Sequence, residues 1–204
     1  ESDVTTSLGT IKPAVNLKGM PVAGGAVVES GKLRILSKGD MQLRGNITAK
    51  RNGSGGLVEA QTDGNLNVSA SIDVEGRGSG LLNTDSGSVV LFAEGTAVIE
   101  QGTKIEARSV GGDAGFFMLT SEGNATVAGK FDMGVDGSGD VGEIILRGPN
   151  VTVDGALTTY GGDIAIQARS LNDPATVTVN AGSKIDTRQV ADNRFNTITP
   201  AADR

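Results

Sequence analysis

Apolar and polar residues alternate strictly in six short segments of the chain. The apolar sets are Met41 and Leu43; Leu66 and Val68; Ala97 and Ile99; Ala125 and Val127; Val151 and Val153; and Ala175, Val177 and Val179. The residues between them that we expect to face solvent are Gln42, Asn67, Thr126, Thr152 and Thr176. Because side chains alternate across a β-strand, this period of two predicts six strands, each with one buried and one exposed side.

A second pattern follows each of these segments, in which one large apolar residue stands between small or polar neighbours. The six residues are Ile47, Ile72, Ile105, Phe131, Leu157 and Ile185. They are 25, 33, 26, 26 and 28 residues apart. A loose period of this length, with three strands in each repeat, is what a coil of a parallel β-helix requires.

A further apolar strand precedes each alternating segment, at 32–36, 57–60, 89–92, 116–119, 143–146 and 163–166. We therefore predict an all-β fold, a single-stranded parallel β-helix (β-solenoid) of about six three-strand coils over residues 30–188. Residues 1–29 are predicted to form a partial coil or cap, and residues 189–204 a cap or linker. Glycines interrupt every 10-residue window that shows helical apolar spacing, which argues against helices.

Glycine and asparagine mark the predicted corners between strands, for example at Gly39, Gly64, Gly95 and Gly123. We expect glycine there because it reaches the left-handed backbone region at the lowest cost. The long step of 33 is assigned to a corner loop at 76–87, and shorter loops at 52–55 and 136–140 fall at the same corner. Variable loops on a rigid stack are where binding sites usually lie. Among the aromatic residues, one of Phe116 and Phe117 is expected in the interior beside Phe92 and Phe131.

The composition excludes several classes of chemistry. The chain has no Cys, so disulfides and thiol catalysis are absent, and no His, the commonest general base and metal ligand. The net charge is −6, which disfavours nucleic acid as a partner. Residues 1–55 carry a charge of +4 and residues 56–204 a charge of −10. This asymmetry is consistent with chance and solvated outer faces; the alternative is an axial dipole that favours head-to-tail contact between copies or with neighbouring segments. The sequence predicts no membrane span, because it contains no run of about 18 apolar residues.

One acidic loop suggests a metal ligand set. Asp136, Ser138 and Asp140 occupy alternate positions and Glu143 follows. Calcium takes six to eight oxygen ligands, so this loop is a candidate calcium site, the single cofactor that the sequence suggests. The full Asp-x-Asp-x-Asp-Gly core and the 12-residue span are missing, so an ordinary acidic surface turn is the competing interpretation.

Charged residues flank the third strands. Asp73, Glu106, Asp132 and Asp186 follow the large apolar residue, whereas Lys104, Lys130 and Lys184 precede it. Stacked coils would align them on one face. Clustered acids with Lys or Arg suit a carbohydrate-active enzyme, but such a ladder equally serves solubility. The chain lacks Trp and has one Tyr, which weakens sugar stacking, so we expect no enzyme activity.

The segments 97–107, 151–158 and 177–187 resemble repeats of filamentous-haemagglutinin-type exoproteins, which are large bacterial surface β-helices. The resemblance covers residues 30–188 and lacks the Asn-Pro-Asn-Gly signature of that family's secretion domain; only Gly148-Pro149-Asn150 echoes it. It implies an extracellular or cell-surface structural or adhesive rod. The implied partners are neighbouring repeats, other copies end to end, and glycans or proteins of the host or cell surface. The alternatives are a carbohydrate-active enzyme and a calcium-dependent binding module.

Overall fold

The computed structural model describes residues 4–6, 9–11, 26–29, 31–51, 53–76, 84–137, 139–170 and 174–188, and these contain strands but no helix. The strands are β1 (Val4–Thr6), β2 (Gly9–Ile11), β3 (Ala26–Glu29), β4 (Lys32–Ser37), β5 (Met41–Leu43), β6 (Asn46–Thr48), β7 (Lys50–Arg51), β8 (Ser54–Gly55), β9 (Leu57–Thr62), β10 (Leu66–Val68), β11 (Ser71–Asp73), β12 (Ser88–Ala93), β13 (Ala97–Ile99), β14 (Lys104–Glu106), β15 (Ser109–Val110), β16 (Phe116–Ser121), β17 (Ala125–Val127), β18 (Lys130–Asp132), β19 (Val135–Asp136), β20 (Glu143–Gly148), β21 (Asn150–Val153), β22 (Ala156–Thr158), β23 (Ile164–Ala168), β24 (Thr176–Val179) and β25 (Lys184–Asp186).

Eighteen of these strands form three parallel sheets that enclose one interior. Sheet I contains β4, β9, β12, β16, β20 and β23; sheet II contains β5, β10, β13, β17, β21 and β24; sheet III contains β6, β11, β14, β18, β22 and β25. Three consecutive strands, one from each sheet, make one coil, and we number the coils 1 to 6 along the chain. The fold is therefore a β-solenoid with three-strand coils and five coil-to-coil steps, as predicted.

The register of sheet III confirms the repeat read from the sequence. Ile72 pairs with Ile47 on one side and Ile105 on the other, and the column continues through Phe131, Leu157 and Ile185. In sheet II the apolar pairs also align, from Met41 and Leu43 to Val177 and Val179. The sequence pattern placed Thr176 in the outward column of sheet II, with Gln42 and Thr152. In the structure Thr178, two residues later, occupies this column. Steps between 25 and 33 residues thus preserve one register, because the corners absorb the differences in length.

Aliphatic side chains fill the interior, with two aromatic rings at its centre. Phe117 and Phe131 are buried, and their rings meet edge to face with centroids 4.7 Å apart. Phe116 faces outward, as expected of one member of the pair. The placement of Phe92 in the interior was wrong: in β12 the buried residues are Val89, Leu91 and Ala93, so Phe92 lies on the outer face.

The corner before sheet I is built from a column of glycines. Each glycine lies against the backbone of the one in the coil before: a Cβ on Gly56 would lie 1.9 Å from the Gly31 carbonyl oxygen, and one on Gly87 would lie 1.8 Å from that of Gly56. Gly162 meets Gly142 in the same way. Glycine is required here by close approach of backbones.

The corner between sheets I and II contains the predicted glycines, but the expected reason was wrong. Gly64, Gly95 and Gly123 do not have positive φ. A Cβ on Gly64 would instead lie 2.6 Å from the backbone nitrogen of Asp40. At this corner too, glycine serves the stacking distance between coils.

The predicted loop edge lies between sheet III and the next strand of sheet I. Strands β7 and β8 form an antiparallel pair there, and β15 and β19 form a parallel pair. The insertion predicted at 76–87 leaves the stack at Gly76 and returns at Thr84, which bridge to Ser109 and to Val110 and Gly111. Residues 77–83 lie outside the described residues.

The chain before coil 1 forms antiparallel strands. β1 pairs with β2, and β3 runs antiparallel along β4 at the first edge of sheet I. The prediction of a partial coil or cap over 1–29 otherwise falls on residues outside those described, and so does the cap or linker predicted for 189–204.

Candidate functional site

The outer face of sheet III carries the charged column that the sequence predicts. Asp73 pairs in register with Glu106, and Glu106 pairs with Asp132. The column continues through Thr158 to Asp186. Parallel strands stack residues about 4.8 Å apart, so three carboxylates follow one another at that spacing. The predicted alignment is confirmed.

Each of these carboxylates has a cation beside it. The Lys50 ammonium lies 2.7 Å from Asp73 Oδ2, and Lys104 forms an ion pair with Glu106. Arg108 contacts Asp132 Oδ2 at 3.5 Å. Half-exposed pairs of this kind typically stabilise a fold by less than about 1 kcal/mol. The column is therefore largely neutralised on its own face, which favours a solubilising and stabilising role.

Asp132 differs from its neighbours in the column. Its Oδ1 atom is buried and makes no hydrogen bond of regular geometry; the Gly134 N–H beside it interacts with the carboxylate and favours its ionised form. Burial raises the pKa of Asp132; the Arg108 guanidinium opposes this effect, and the nearby carboxylates of Glu106 and Glu75 add to it. A general acid needs a raised pKa, because it must hold its proton until it donates it. Asp132 has this property.

Arg108 joins Asp132 to the corner loop. Its guanidinium lies 2.7 Å from Asp136 Oδ1 and 5.5 Å from the centre of the Tyr160 ring, a cation–π distance. Tyr160 has a φ of +52°, in the left-handed region that is uncommon for a bulky residue. Its ring packs over Gly134, where a Cβ would lie 2.6 Å from Tyr160 Cδ2. Arg108, Asp132, Asp136 and Tyr160, drawn from coils 3, 4 and 5, form the polar cluster that we call the Arg108 cluster.

Sequence reasoning found Asp132 and Asp136 but missed Arg108 and Tyr160. Arg108 continues the alternation past the third strand: Glu106 and Arg108 are half-buried on the outside, and Ala107 is buried between them. Extending the alternation of outward and buried residues to the next outward position after Glu106 would have identified Arg108. Tyr160 gives no comparable local signal, because its partners lie in other coils.

The predicted calcium ligands occupy the same loop edge but do not share one environment. Asp136 is engaged by Arg108, the Asp140 N–H donates to Asp113 Oδ1 at 2.9 Å, and Glu143 begins β20. Ser138 lies outside the described residues. In the part of the chain that the structure describes, no three acidic side chains are grouped so that they could hold a metal ion. Calcium binding at this loop stays a prediction.

The remaining outer surfaces are distinct. The corner between sheets I and II carries an amide and hydroxyl ladder: Asn65 Nδ2 donates to Asp40 Oδ1, and Asn65 Oδ1 accepts from the Thr96 N–H at 2.9 Å. Asn150 repeats this role with Asn124 and Thr176. A search of the described residues for a helix with the length and apolar character to cross a membrane found none.

Comparison of the chain with protein-family models, with curated proteins and with solved structures gave no match. The resemblance to filamentous-haemagglutinin-type repeats therefore stays a prediction, and function has to be argued from the fold and its surfaces.

Proposed function

We propose that this chain is a structural and adhesive segment of a large secreted or cell-surface bacterial protein, in which it forms a stretch of rigid rod. The observation that supports this best is the unbroken register of six coils, the last of which, coil 6, exposes apolar residues among those that the structure describes. In coil 6, Val177, Val179 and Ile185 are 46 %, 49 % and 43 % exposed although they continue the interior columns. An exposed interior column favours a further layer of strands upon it.

The mechanism is geometric. Backbone hydrogen bonds run from coil to coil along the axis, and the packed interior resists shear because each coil is locked into the next. The corner glycines set the stacking distance, and the loop edge projects side chains from the stack. Such a rod holds an adhesive surface at a fixed distance from its anchor, or it joins end to end with other copies.

The first test is negative-stain imaging of the purified chain across a range of concentrations, with and without calcium. We expect particles joined in pairs through coil 6, with a paired fraction that grows with concentration. A Val177→Lys/Ile185→Lys variant places charge on coil 6 and is expected to remain as single particles. The matched control is Thr178→Lys, which changes the outward residue of the same strand and is expected to join as the unmodified chain does.

Adhesion is tested separately by retention of chain-coated beads on cell and glycan surfaces. If the chain stays as single particles at every concentration and the beads are not retained, the roles in assembly and adhesion are both contradicted.

Glycan processing at the Arg108 cluster is the second candidate function, because the half-buried Asp132 has a raised pKa and lies beside Arg108, which also contacts Tyr160. The test is release of reducing ends or unsaturated products from acidic and neutral polysaccharides. Asp132→Asn is expected to abolish such activity and Asp73→Asn to preserve most of it. No product from any substrate, or equal activity in the two variants, would remove this candidate.

A further inference from the structure

The outer face of sheet I is apolar at its centre, unlike the outer faces of the other two sheets. Six of the twelve outward positions of coils 2 to 5 hold large apolar side chains, each half-buried: Leu57, Val90, Phe92, Phe116, Met118 and Ile145. The other six are Glu59, Gln61, Ser88, Thr120, Glu143 and Arg147. We call the six apolar residues the sheet I patch. Contiguous apolar patches on the outside of a soluble fold mark interaction surfaces more often than scattered single residues do.

Sheet II shows that this composition is not a general property of the stack. Its outward residues in the same coils are Asn67, Val98, Thr126 and Thr152. Only Val98 is apolar among them. Sheet III carries charged residues at five of its six outward positions in coils 2 to 4, and Ala156 and Thr158 in coil 5. The sheet I patch is therefore a local feature, although all three faces belong to the same coils and would meet the same solvent.

The patch has a central stripe of one column. Val90, Met118 and Ile145 pair in register on β12, β16 and β20, so they form a continuous apolar line across three coils. On coil 5 the two outward positions beside this line are opposite in charge: Glu143 on one side and Arg147 on the other. Arg147 is held by Gln167 Oε1 at 3.1 Å.

We propose that the sheet I patch is an interface with a second copy of this chain, and that two solenoids pack side by side with parallel axes. A two-fold axis along the solenoid direction places each coil opposite the same coil of the partner and exchanges the two edge columns. Val90, Met118 and Ile145 then meet their own equivalents. Glu143 of each copy faces Arg147 of the other.

The other charged groups on this face lie in coils 1 and 2. Arg34 and Glu59 form an ion pair at 2.8 Å within one copy; in the central column each meets its own equivalent, so the group of four is neutral but includes like-charge contacts. Lys32 meets Leu36 of the second copy at the exposed edge of coil 1, outside the sheet I patch. In the antiparallel alternative Ile145 would face Glu59 and Leu57 would face Glu143, which places carboxylates against apolar side chains.

The size of the face sets the expected strength. Six strands of about six residues cover roughly 25 Å by 20 Å, or about 500 Å² on each copy. Two copies would bury about 1,000 Å², which is at the lower end for specific complexes. We therefore expect a reversible dimer with a Kd in the micromolar range, distinct from end-to-end joining through coil 6.

The proposal is tested by sedimentation equilibrium of the whole chain carrying Val177→Lys/Ile185→Lys, so that joining through coil 6 does not contribute to the measured Kd. Val90→Glu is expected to raise the dimer Kd at least about tenfold. Val98→Glu is the matched control, because Val98 is also a half-buried outward valine of coil 3 but lies on sheet II, and its Kd is expected to stay within about twofold. Circular dichroism checks that both variants fold, and Met118→Glu replaces Val90→Glu if that variant does not. A monomer at all concentrations, or equal effects of the two substitutions, would overturn the proposal.

Charge reversal tests the pairing of Glu143 with Arg147. Arg147→Glu is expected to weaken the dimer, and the double variant Glu143→Arg/Arg147→Glu is expected to restore it. A structural effect of Arg147 alone would give no restoration, and that outcome would contradict the proposed pairing.

Single cysteines test the orientation, since the chain has no Cys of its own. Ile145→Cys is expected to cross-link with itself under mild oxidation. If it fails to do so but cross-links when mixed with Glu59→Cys, the copies are antiparallel and the proposed arrangement is wrong. The Val177→Lys/Ile185→Lys variant is expected to dimerise normally, so failure of this interface and failure of the rod assembly are distinguishable.

Discussion

The first and last coils contain the same kinds of residue but differ in how well these residues are covered. In coil 1 the interior residues Leu33, Met41 and Ile47 are at most 2 % exposed, and β3 runs along the edge of sheet I. In coil 6 the aligned residues of sheets II and III are more than 40 % exposed. A repeat unit therefore cannot bury its own apolar face, and its stability is supplied by its neighbours.

The largest expected difference between the middle and the open end concerns interior packing. Phe117→Ala removes a buried ring that packs against Phe131 and should destabilise the fold by about 3–5 kcal/mol. Ile185→Ala changes a residue that is 43 % exposed and should cost about 1 kcal/mol or less. Urea unfolding followed by circular dichroism measures both, since the chain has no Trp for fluorescence. Equal losses would mean that coil 6 is covered in solution.

The corner glycines extend the comparison to the backbone. Gly87→Ala places a methyl group 1.8 Å from the Gly56 carbonyl oxygen and should destabilise the fold by about 3 kcal/mol or prevent stacking of coils 2 and 3. Gly182 has a φ of +96°, and a Cβ added to it would meet no atom within 4 Å. Its change to Ala should therefore cost only the backbone strain of about 1 kcal/mol. The same unfolding measurement compares the two. A Gly87→Ala protein as stable as Gly182→Ala would show that the corner can widen.

These two glycines also show what the sequence could and could not predict. The coils and their register could be predicted, because alternation and the recurring large apolar residue are local patterns. The close approach at Gly87 depends on a glycine 31 residues earlier, so it becomes evident only when the coils are stacked.

Phe92 was misplaced because Val89, Val90, Leu91 and Phe92 are all apolar, and such a run does not reveal which alternate residues enter the interior. Alignment with the previous coil would have resolved it. Phe92 pairs with Gln61, and Leu91 pairs with the buried Ala60. At the candidate site, the acidic loop could be recognised in the sequence. The ion pair between Asp136 and Arg108 could not, because it joins residues of two different coils.

Asparagine ladders should show a smaller contrast between the closed and open regions. Asn65→Ala removes the acceptor of the Thr96 N–H and a donor to Asp40, so we expect a loss of about 1–2 kcal/mol. Asn150 Oδ1 accepts from the Thr176 hydroxyl rather than from a backbone N–H, next to coil 6, and Asn150→Ala should cost about half as much. Melting temperatures of the two variants rank them. The reverse order would show that coil 6 relies on its ladder more than coil 2 does.

The smallest expected effect is the dependence of stability on pH at the Arg108 cluster. Burial raises the pKa of Asp132, so the folded chain binds this proton more readily than the unfolded chain, whose value is near 3.8. Asp132 therefore costs stability at neutral pH, and this cost disappears as the pH falls through the raised pKa toward the ordinary value. Asp132→Asn lacks the charge and should be slightly more stable than the unmodified chain at pH 7, by less than about 1 kcal/mol, while Arg108 keeps Asp136.

The difference between the two proteins should shrink or change sign near pH 4, and urea midpoints at pH 7, 5.5 and 4 measure it. Asp186 acts in the opposite direction, because Arg188 and Lys184 lower its pKa and its contribution is lost as the pH falls. The contribution of Asp186 is the same in the unmodified chain and in Asp132→Asn, so it cancels from the difference in stability between them. Asp63→Asn, which changes an exposed aspartate, serves as the control. A gap between Asp132→Asn and the unmodified chain that stays constant from pH 7 to pH 4 would show that Asp132 is held by its partners rather than destabilised by burial, and the case for a general acid in this cluster would fail with it.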